Sequence, residues 1–377
     1  MRKVSFVFGT RPEAIKLAPL IKLFKQRHDI VTEICTTGQH KEMLYQVLDL
    51  FQINPDVDLK LMTHNQSLPE FLANSIKELN EHFLKSKPDL LFVQGDTSTV
   101  LAAAMAAFYH KIKVFHVEAG LRTDSLYSPY PEEMNRRLTT QLSEIHFAPT
   151  ARAKENLLKG GVCESKILIT GNTSIDGLLD IVSAINNGKL KPEISESISN
   201  VLKKYSGCVL ITGHRRENFG TGFKQICSAI TKLAEKHPDV LFIYPVHLNP
   251  NVKEVVFEKL SHLDNVLLIP PQGYLEFVYL MMNASIILTD SGGIQEEGPS
   301  LGKPILVMRE STERPEGVEA GCSVLVGTDE TKIVNEVSRL LTDKVYYDNF
   351  SLSINPYGDG FAAKRIFEFT INLLGLN

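Results

Sequence analysis

The sequence predicts an α/β protein made of two doubly wound, Rossmann-like domains. Three observations predict it. The chain has 377 residues, more than the roughly 250–300 at which a single hydrophobic core stops growing. Short apolar runs alternate with longer helix-patterned segments, as parallel βαβ units require. The runs fall six to each half, with no sequence repeat between the halves, which suggests two domains of one architecture.

In the first half the predicted strands are KVSFVFG (3–9), VTEICTT (31–37), DLLFVQ (89–94), KVFHV (113–117), EIHFAP (144–149) and KILIT (166–170). In the second they are CVLIT (208–212), VLFIYPV (240–246), NVLLI (265–269), SIILT (285–289), PILVM (304–308) and SVLV (323–326). The polar stretch INNGKLKPEISESISN (185–200) has no strand pattern. The connection is therefore placed at 172–200, with a mobile helix inside it, between a first domain over 1–171 and a second over 201–359. An amphipathic segment, GFAAKRIFEFTINLL (360–374), follows NPYGDG.

Composition excludes several classes. The chain is 43% hydrophobic and 22% charged, with a formal net charge of −4. It offers no basic excess to neutralise a phosphate backbone, so no nucleic-acid partner is expected. Cys35, Cys163, Cys208, Cys227 and Cys322 are scattered and never form a C-x-x-C pair, which argues against a disulfide framework and a zinc knuckle. Arg11-Pro12-Glu13 arrives too soon for a secretory apolar core, so the first run is read as a strand. The longest uncharged apolar run, near 100–109, is half a membrane span. A cytoplasmic enzyme or binding protein without a membrane partner is expected.

Ligands of doubly wound sheets bind beyond the carboxyl ends of the strands, and two such domains can present those ends across a cleft. After the first strand, GTRPEAIK sets Arg11 and Lys16 at a helix N-terminus, where an anion is favoured; solvated surface charge is the equal alternative. The segment contains neither a dinucleotide fingerprint nor a Walker loop. After the third strand comes QGDTST, in which Asp96 is either functional or a helix N-cap. Glu118 ends the buried run HVEAGLR. A sheltered strand end gives an acid little reason to be there unless it is used. Glu132 and Glu133, in YPEE, open a helix, where capping is the commoner use of an acid.

In the second half, GHRREN follows CVLIT in the position matching the Arg11 loop. A histidine with two arginines there suits a diphosphate, since guanidinium donors pair bidentately with phosphate oxygens; a surface loop with a bystander histidine is the alternative. The segment TDSGGIQEEGPSLGKP places Ser291, Gly292 and Gly293 at a strand end, where backbone N–H groups can meet a phosphate without Cβ interference. Glu297, one turn on, is spaced to accept hydrogen bonds from both ribose hydroxyls, with Glu296 facing elsewhere. No H-E-x-x-H or comparable ligand spacing occurs, so no catalytic metal is expected.

Taken together, GTRPEAIK, TGQH, QGDTST, HVEAGLRT, PEE, TGHRREN, LTDSGGIQEEGPSLGKP, TERPE and NPYGDG, in that order from residue 9 to residue 360, resemble the non-hydrolysing UDP-N-acetylglucosamine 2-epimerases of bacteria. The resemblance implies the two-domain fold of B-type glycosyltransferases, with the C-terminal helix, about 360–377, crossing back to complete the first domain. It also implies interconversion of UDP-N-acetylglucosamine and UDP-N-acetylmannosamine by inversion at C2. UDP is eliminated to a glycal and re-added, with no NAD or metal, and the product feeds a bacterial surface polysaccharide.

By the same resemblance, Asp96, Glu118, Glu132 and His214 are the catalytic candidates. The three acids would exchange the C2 proton, and His214 would stand near the diphosphate. Which acid serves which face is left open. The nucleotide positions carried over are Arg11, Lys16, His214, Gln272, Phe277, Ser291, Gly292, Gly293, Glu297 and Arg314, and Asp96 and Glu118 join them as contacts to the substrate. Phe277 reads equally as helix core. A second substrate molecule as activator would meet Gln39, Arg215 and His247, and a homodimer is implied. The rival readings are a hydrolysing 2-epimerase, a B-type glycosyltransferase and a non-catalytic nucleotide-sugar sensor.

Overall fold

The computed structural model describes residues 1–38, 41–63, 66–123 and 125–376. They form two compact units, one of residues 1–177 and 357–377, the other of residues 178–356. In the first, strands β1 (Arg2–Phe8), β2 (Ile30–Thr36), β3 (Val57–Asp58), β4 (Leu90–Gln94), β5 (Lys113–Val117), β6 (Ile145–Ala148) and β7 (Ile167–Ile169) make one sheet in the order β3-β2-β1-β4-β5-β6-β7. Every pairing is parallel. In the second, β8 (Gly207–Thr212), β9 (Val240–Pro245), β10 (Val266–Ile269), β11 (Ile286–Thr289), β12 (Ile305–Val307) and β13 (Ser323–Leu325) follow the order β10-β9-β8-β11-β12-β13, again all parallel.

Both orders reverse direction once, between β1 and β4 and between β8 and β11. In doubly wound sheets that reversal opens a crevice at the strands' carboxyl ends. All twelve predicted strands are found. The two-residue β3 was not predicted, being too short to show an alternating pattern. The stretch 172–200, expected as a connection, is helical over Thr173–Asn186 and Ser195–Leu202, and the division between units falls inside the first of these helices.

Buried aliphatic strands on both faces give each sheet its core, as parallel sheets covered by helices need. In the first unit a phenylalanine network adds to it. Phe6 stacks on Phe92 at 4.9 Å, and Phe24, from helix Arg11–Lys25, meets both rings. The C-terminal helix Ala362–Leu374 joins this core through Phe367 against Phe24 at 5.0 Å and Phe369 against Phe147 at 5.8 Å. Its first turn is held by Asp176, whose carboxylate accepts the N–H groups of Ala362 and Ala363 at 3.3 and 2.8 Å. A carboxylate there satisfies orphan donors and complements the helix dipole. Burial raises the Asp176 pKa to about 6.

Candidate active site

The first unit gathers carboxylates at its reversal point. Glu118 follows β5 with φ +62°, a left-handed conformation rare for a side-chain-bearing residue and found where surrounding contacts enforce it. Those contacts are present. Lys16 Nζ donates to both Glu118 oxygens at 2.6 and 2.7 Å, Asn172 Nδ2 donates to Oε1 at 3.0 Å, and Gln94 Nε2 donates to Oε2. Gly95, with φ +79°, completes the tight turn beside this carboxylate. Lys16 is thus committed to Glu118, so two of the residues singled out in the sequence meet in one ion pair.

Asp96 is not the cap of the next helix. Thr97 takes that position, accepting from Val100 N–H at 3.2 Å, which leaves Asp96 to pair with Arg136 through Nε and Nη2, both at 2.8 Å. Asn135 Nδ2 donates to the Asp96 carbonyl at 2.9 Å. Helix Glu132–Leu142 is therefore docked on the Asp96 loop, and its first turn separates the two adjacent acids. Glu133 is fully buried and accepts from Thr123 N–H, Arg136 and Arg137 at 3.1, 3.2 and 2.8 Å. Glu132 Oε2 is buried with no hydrogen-bond partner. Glu133 performs the structural task, and Glu132 keeps an unused oxygen.

Two further groups order this end of the sheet. Glu13, 1% exposed, accepts from Gly9 N–H at 3.0 Å, Thr10 N–H at 2.7 Å and Thr97 Oγ1 at 2.8 Å, tying the loop after β1 to the loop after β4. Burial raises its pKa against the lowering effect of those donors. His116 Nε2 donates to the Gly95 carbonyl at 2.7 Å, and burial lowers its pKa to about 4. Arg11 is half-buried at the first helical position.

The second unit gathers imidazole and guanidinium groups at its reversal point. Asp290, fully buried just after β11, accepts the N–H groups of His214 and Arg215 through Oδ2, both at 2.8 Å. Its Oδ1 stands 3.4 Å from His214 Nδ1. The His214 side chain is 44% exposed and stacks on His247 at 5.4 Å. Desolvation lowers the His214 pKa, Asp290 opposes that, and His247 and Arg215 add to the lowering.

Helix Gly292–Glu297 begins after Ser291. A Cβ on Gly292 would meet the Arg314 guanidinium at 3.1 Å, whereas one on Gly293 would meet nothing within 4 Å. Gly292 permits the close approach of Arg314; Gly293 leaves an open face. Arg314 Nε donates to Glu296 Oε1 at 2.8 Å, and Glu297 accepts from Tyr274 at 3.2 Å. Gln272 donates to the Pro270 carbonyl at 2.6 Å. Phe277 is half-buried while Val278, Leu280 and Met281 fill the core.

Sequence reasoning missed Arg309, 6% exposed and paired with Glu217 at 2.6 Å and Glu313 at 2.7 Å, which ties the HRREN loop to TERPE. It also missed Gln94 and Asn172 as partners of Glu118. Gln94 stands beside Gly95-Asp96 in the quoted motif, a signal that could have found it; Asn172 offered none. Gln39 lies outside the described residues. Among the described residues no group of three or more His, Cys, Asp or Glu could hold a metal, and no helix is long and apolar enough to cross a membrane.

The family model for UDP-N-acetylglucosamine 2-epimerase matches residues 22–370. The Yersinia pestis UDP-N-acetylglucosamine 2-epimerase is 52% identical over 367 residues, 97% of each chain. The crystal structure of UDP-GlcNAc 2-epimerase from Neisseria meningitidis bound to UDP-GlcNAc superposes with a TM-score of 0.91 at 49% identity, covering 98% of this chain and 100% of that one. The Methanocaldococcus jannaschii UDP-GlcNAc 2-epimerase in complex with UDP-GlcNAc and UDP gives 0.82 at 37% identity, over 98% and 99%. A match of this extent, on a chain whose two reversal points carry these residues, places it in the UDP-N-acetylglucosamine 2-epimerase family.

Proposed function

We propose that this chain interconverts UDP-N-acetylglucosamine and UDP-N-acetylmannosamine by inverting C2. A carboxylate removes the C2 proton while the anomeric C1–O bond breaks, its electron pair leaving on the UDP oxygen. A C1=C2 double bond forms. In the return, a proton reaches the opposite face of C2 and UDP re-adds at C1. Atoms balance and no net oxidation occurs, so the route calls for no external oxidant. Development of oxocarbenium character at C1 makes the C2 proton acidic enough for a carboxylate. Inversion needs a proton-exchanging group on each face.

The observation that carries this reading is the division of labour among the first unit's acids. Glu133 is consumed by structural donors, while Glu132 keeps a buried, unpartnered oxygen on a helix docked to the Asp96 loop. Glu118 and Asp96 each face a cation, Lys16 and Arg136. The same proposal includes a second substrate molecule as activator near Gln39, Arg215 and His247, a homodimer, a cytoplasmic location and supply of surface-polysaccharide precursor. These rest on the family resemblance.

Proton NMR of UDP-N-acetylglucosamine with the protein in deuterium oxide tests the reading. The expected product is UDP-N-acetylmannosamine carrying deuterium at C2, with little free UDP. Free N-acetylmannosamine plus UDP would move the assignment to the hydrolysing class, and an unchanged spectrum to a transferase or sensor.

A further inference from the structure

We infer that Asp290 is the positioning residue for His214, holding its imidazole as the Nδ1–H tautomer and leaving Nε2 for the ligand. The geometry has two independent parts. First, Asp290 Oδ2 receives two backbone N–H groups, of His214 and Arg215, at 2.8 Å each, and Asn218 Nδ2 at 3.5 Å. That fixes the loop, and with it the origin of the His214 side chain. Second, Oδ1 of the same fully buried carboxylate has no hydrogen-bond partner, and His214 Nδ1 stands 3.4 Å from it. A buried carboxylate oxygen left unpaired is costly, so this one favours whatever proton Nδ1 can offer. Of the two neutral tautomers, one presents N–H to it and the other a lone pair. The second is repelled.

The neighbouring ring shows that the choice is local. His247 Nδ1 accepts the N–H of Asn249 at 3.1 Å, so it must present a lone pair there and carry its proton on Nε2. The two stacked rings, 18° from parallel, are thus set to opposite tautomers by opposite partners, a backbone N–H for His247 and a carboxylate for His214. With Nδ1–H turned toward that carboxylate, His214 Nε2 is the nitrogen that accepts or delivers a proton. When the ring is protonated, Asp290 also steadies the charge it gains. On the proposed function, Nε2 is the group that would serve the departing diphosphate. That last clause rests on the epimerase reading, whereas the tautomer does not.

Nitrogen-15 NMR of histidine-labelled, ligand-free protein at a pH where His214 is neutral tests it, with His214→Asn supplying the assignment. The wild type should show a pyrrole-type Nδ1 and a pyridine-type Nε2 for His214. Asp290→Asn keeps an acceptor for the backbone N–H groups but turns an amide donor toward Nδ1, so the two signals should exchange. Kinetically, Asp290→Asn should lower kcat by about a hundredfold, the scale of misdirected acid–base groups, with little change in KM. In a His214→Asn background the same change should cost nothing further. A wild-type ring protonated on Nε2 overturns the inference. So does an Asp290→Asn loss that persists in the His214→Asn background, the mark of a merely structural role. If Asp290→Asn fails to fold, the wild-type spectrum still decides. If the wild type does not epimerise, the proposed function fails while the spectrum continues to test Asp290.

Discussion

The two reversal points of this molecule share a strand order and differ in chemistry. In each, a buried carboxylate ties the loop after the first strand to the loop after the fourth. The first unit uses Glu13, from the helix after β1, reaching Gly9, Thr10 and Thr97. The second uses Asp290, from the end of β11, reaching back to His214 and Arg215. Around Glu13 stand further acids, Asp96, Glu118 and Glu132, two of them balanced by Lys16 and Arg136. Around Asp290 stand His214, Arg215 and His247. A crevice is a property of the topology; whether it moves protons or holds anions is a property of the side chains the loops bring to it.

That contrast is broken most directly by removing acids from the first unit. Glu132→Gln and Asp96→Asn should lower turnover by roughly 10²–10⁴-fold, while calorimetric titration with UDP shows affinity unchanged. A parallel loss of UDP affinity would mean that the first unit, not the second, holds the nucleotide.

The next effect is on stability. His116, in the first unit, is buried with its pKa lowered to about 4, whereas His214 is half-exposed. Because the folded state resists protonation, the unfolded chain takes up the proton first. The stability is present above about pH 6.5 and is lost as pH falls toward 4, at about 1.4 kcal/mol per pH unit. Burial lowers His146 further, to about 3, which adds in the same direction. Asp176 opposes, since its raised pKa favours the folded state as pH falls toward 4. His116→Gln retains a donor for the Gly95 carbonyl but does not titrate. Urea unfolding at pH 7 and pH 5 should give it a flatter dependence than the wild type; equal slopes would show that His116 is not protected in the folded state.

The smallest effect separates two adjacent acids. Glu133→Gln should destabilise by about 1–3 kcal/mol, because buried donors lose a charged acceptor, and should leave kcat unchanged. Glu132→Gln should leave urea unfolding unchanged, since its free oxygen has no partner to lose. Reversed results would exchange the roles assigned here.

Much of this was legible in the chain. Each of the twelve predicted strands is present with its ends displaced by at most one residue, since buried parallel strands announce themselves as short apolar runs. The loops beyond their carboxyl ends follow them directly, so Asp96, Glu118, His214 and Ser291 could be singled out as candidates by their place after a strand. The connection was less legible. Polar composition suggested a linker over 172–200, but Ile175, Leu178 and Ile181 bury an apolar face of helix Thr173–Asn186 that the polar 185–200 stretch concealed.

The sequence by itself determined the element order, the placing of small and charged residues at strand ends, and a family identity spread over nine short motifs. Only the tertiary structure decided the partners. Lys16 meets Glu118 across 102 positions, Arg136 meets Asp96 across 40, and Asp290 reaches His214 across 76. No local pattern encodes such distances, because they follow from which strands lie side by side. The choice within each pair of adjacent acids is likewise tertiary. Consecutive residues on a helix point about 100° apart, so the packing of that helix decides which acid meets a buried cation, as Glu133 and Glu296 do, and which faces elsewhere.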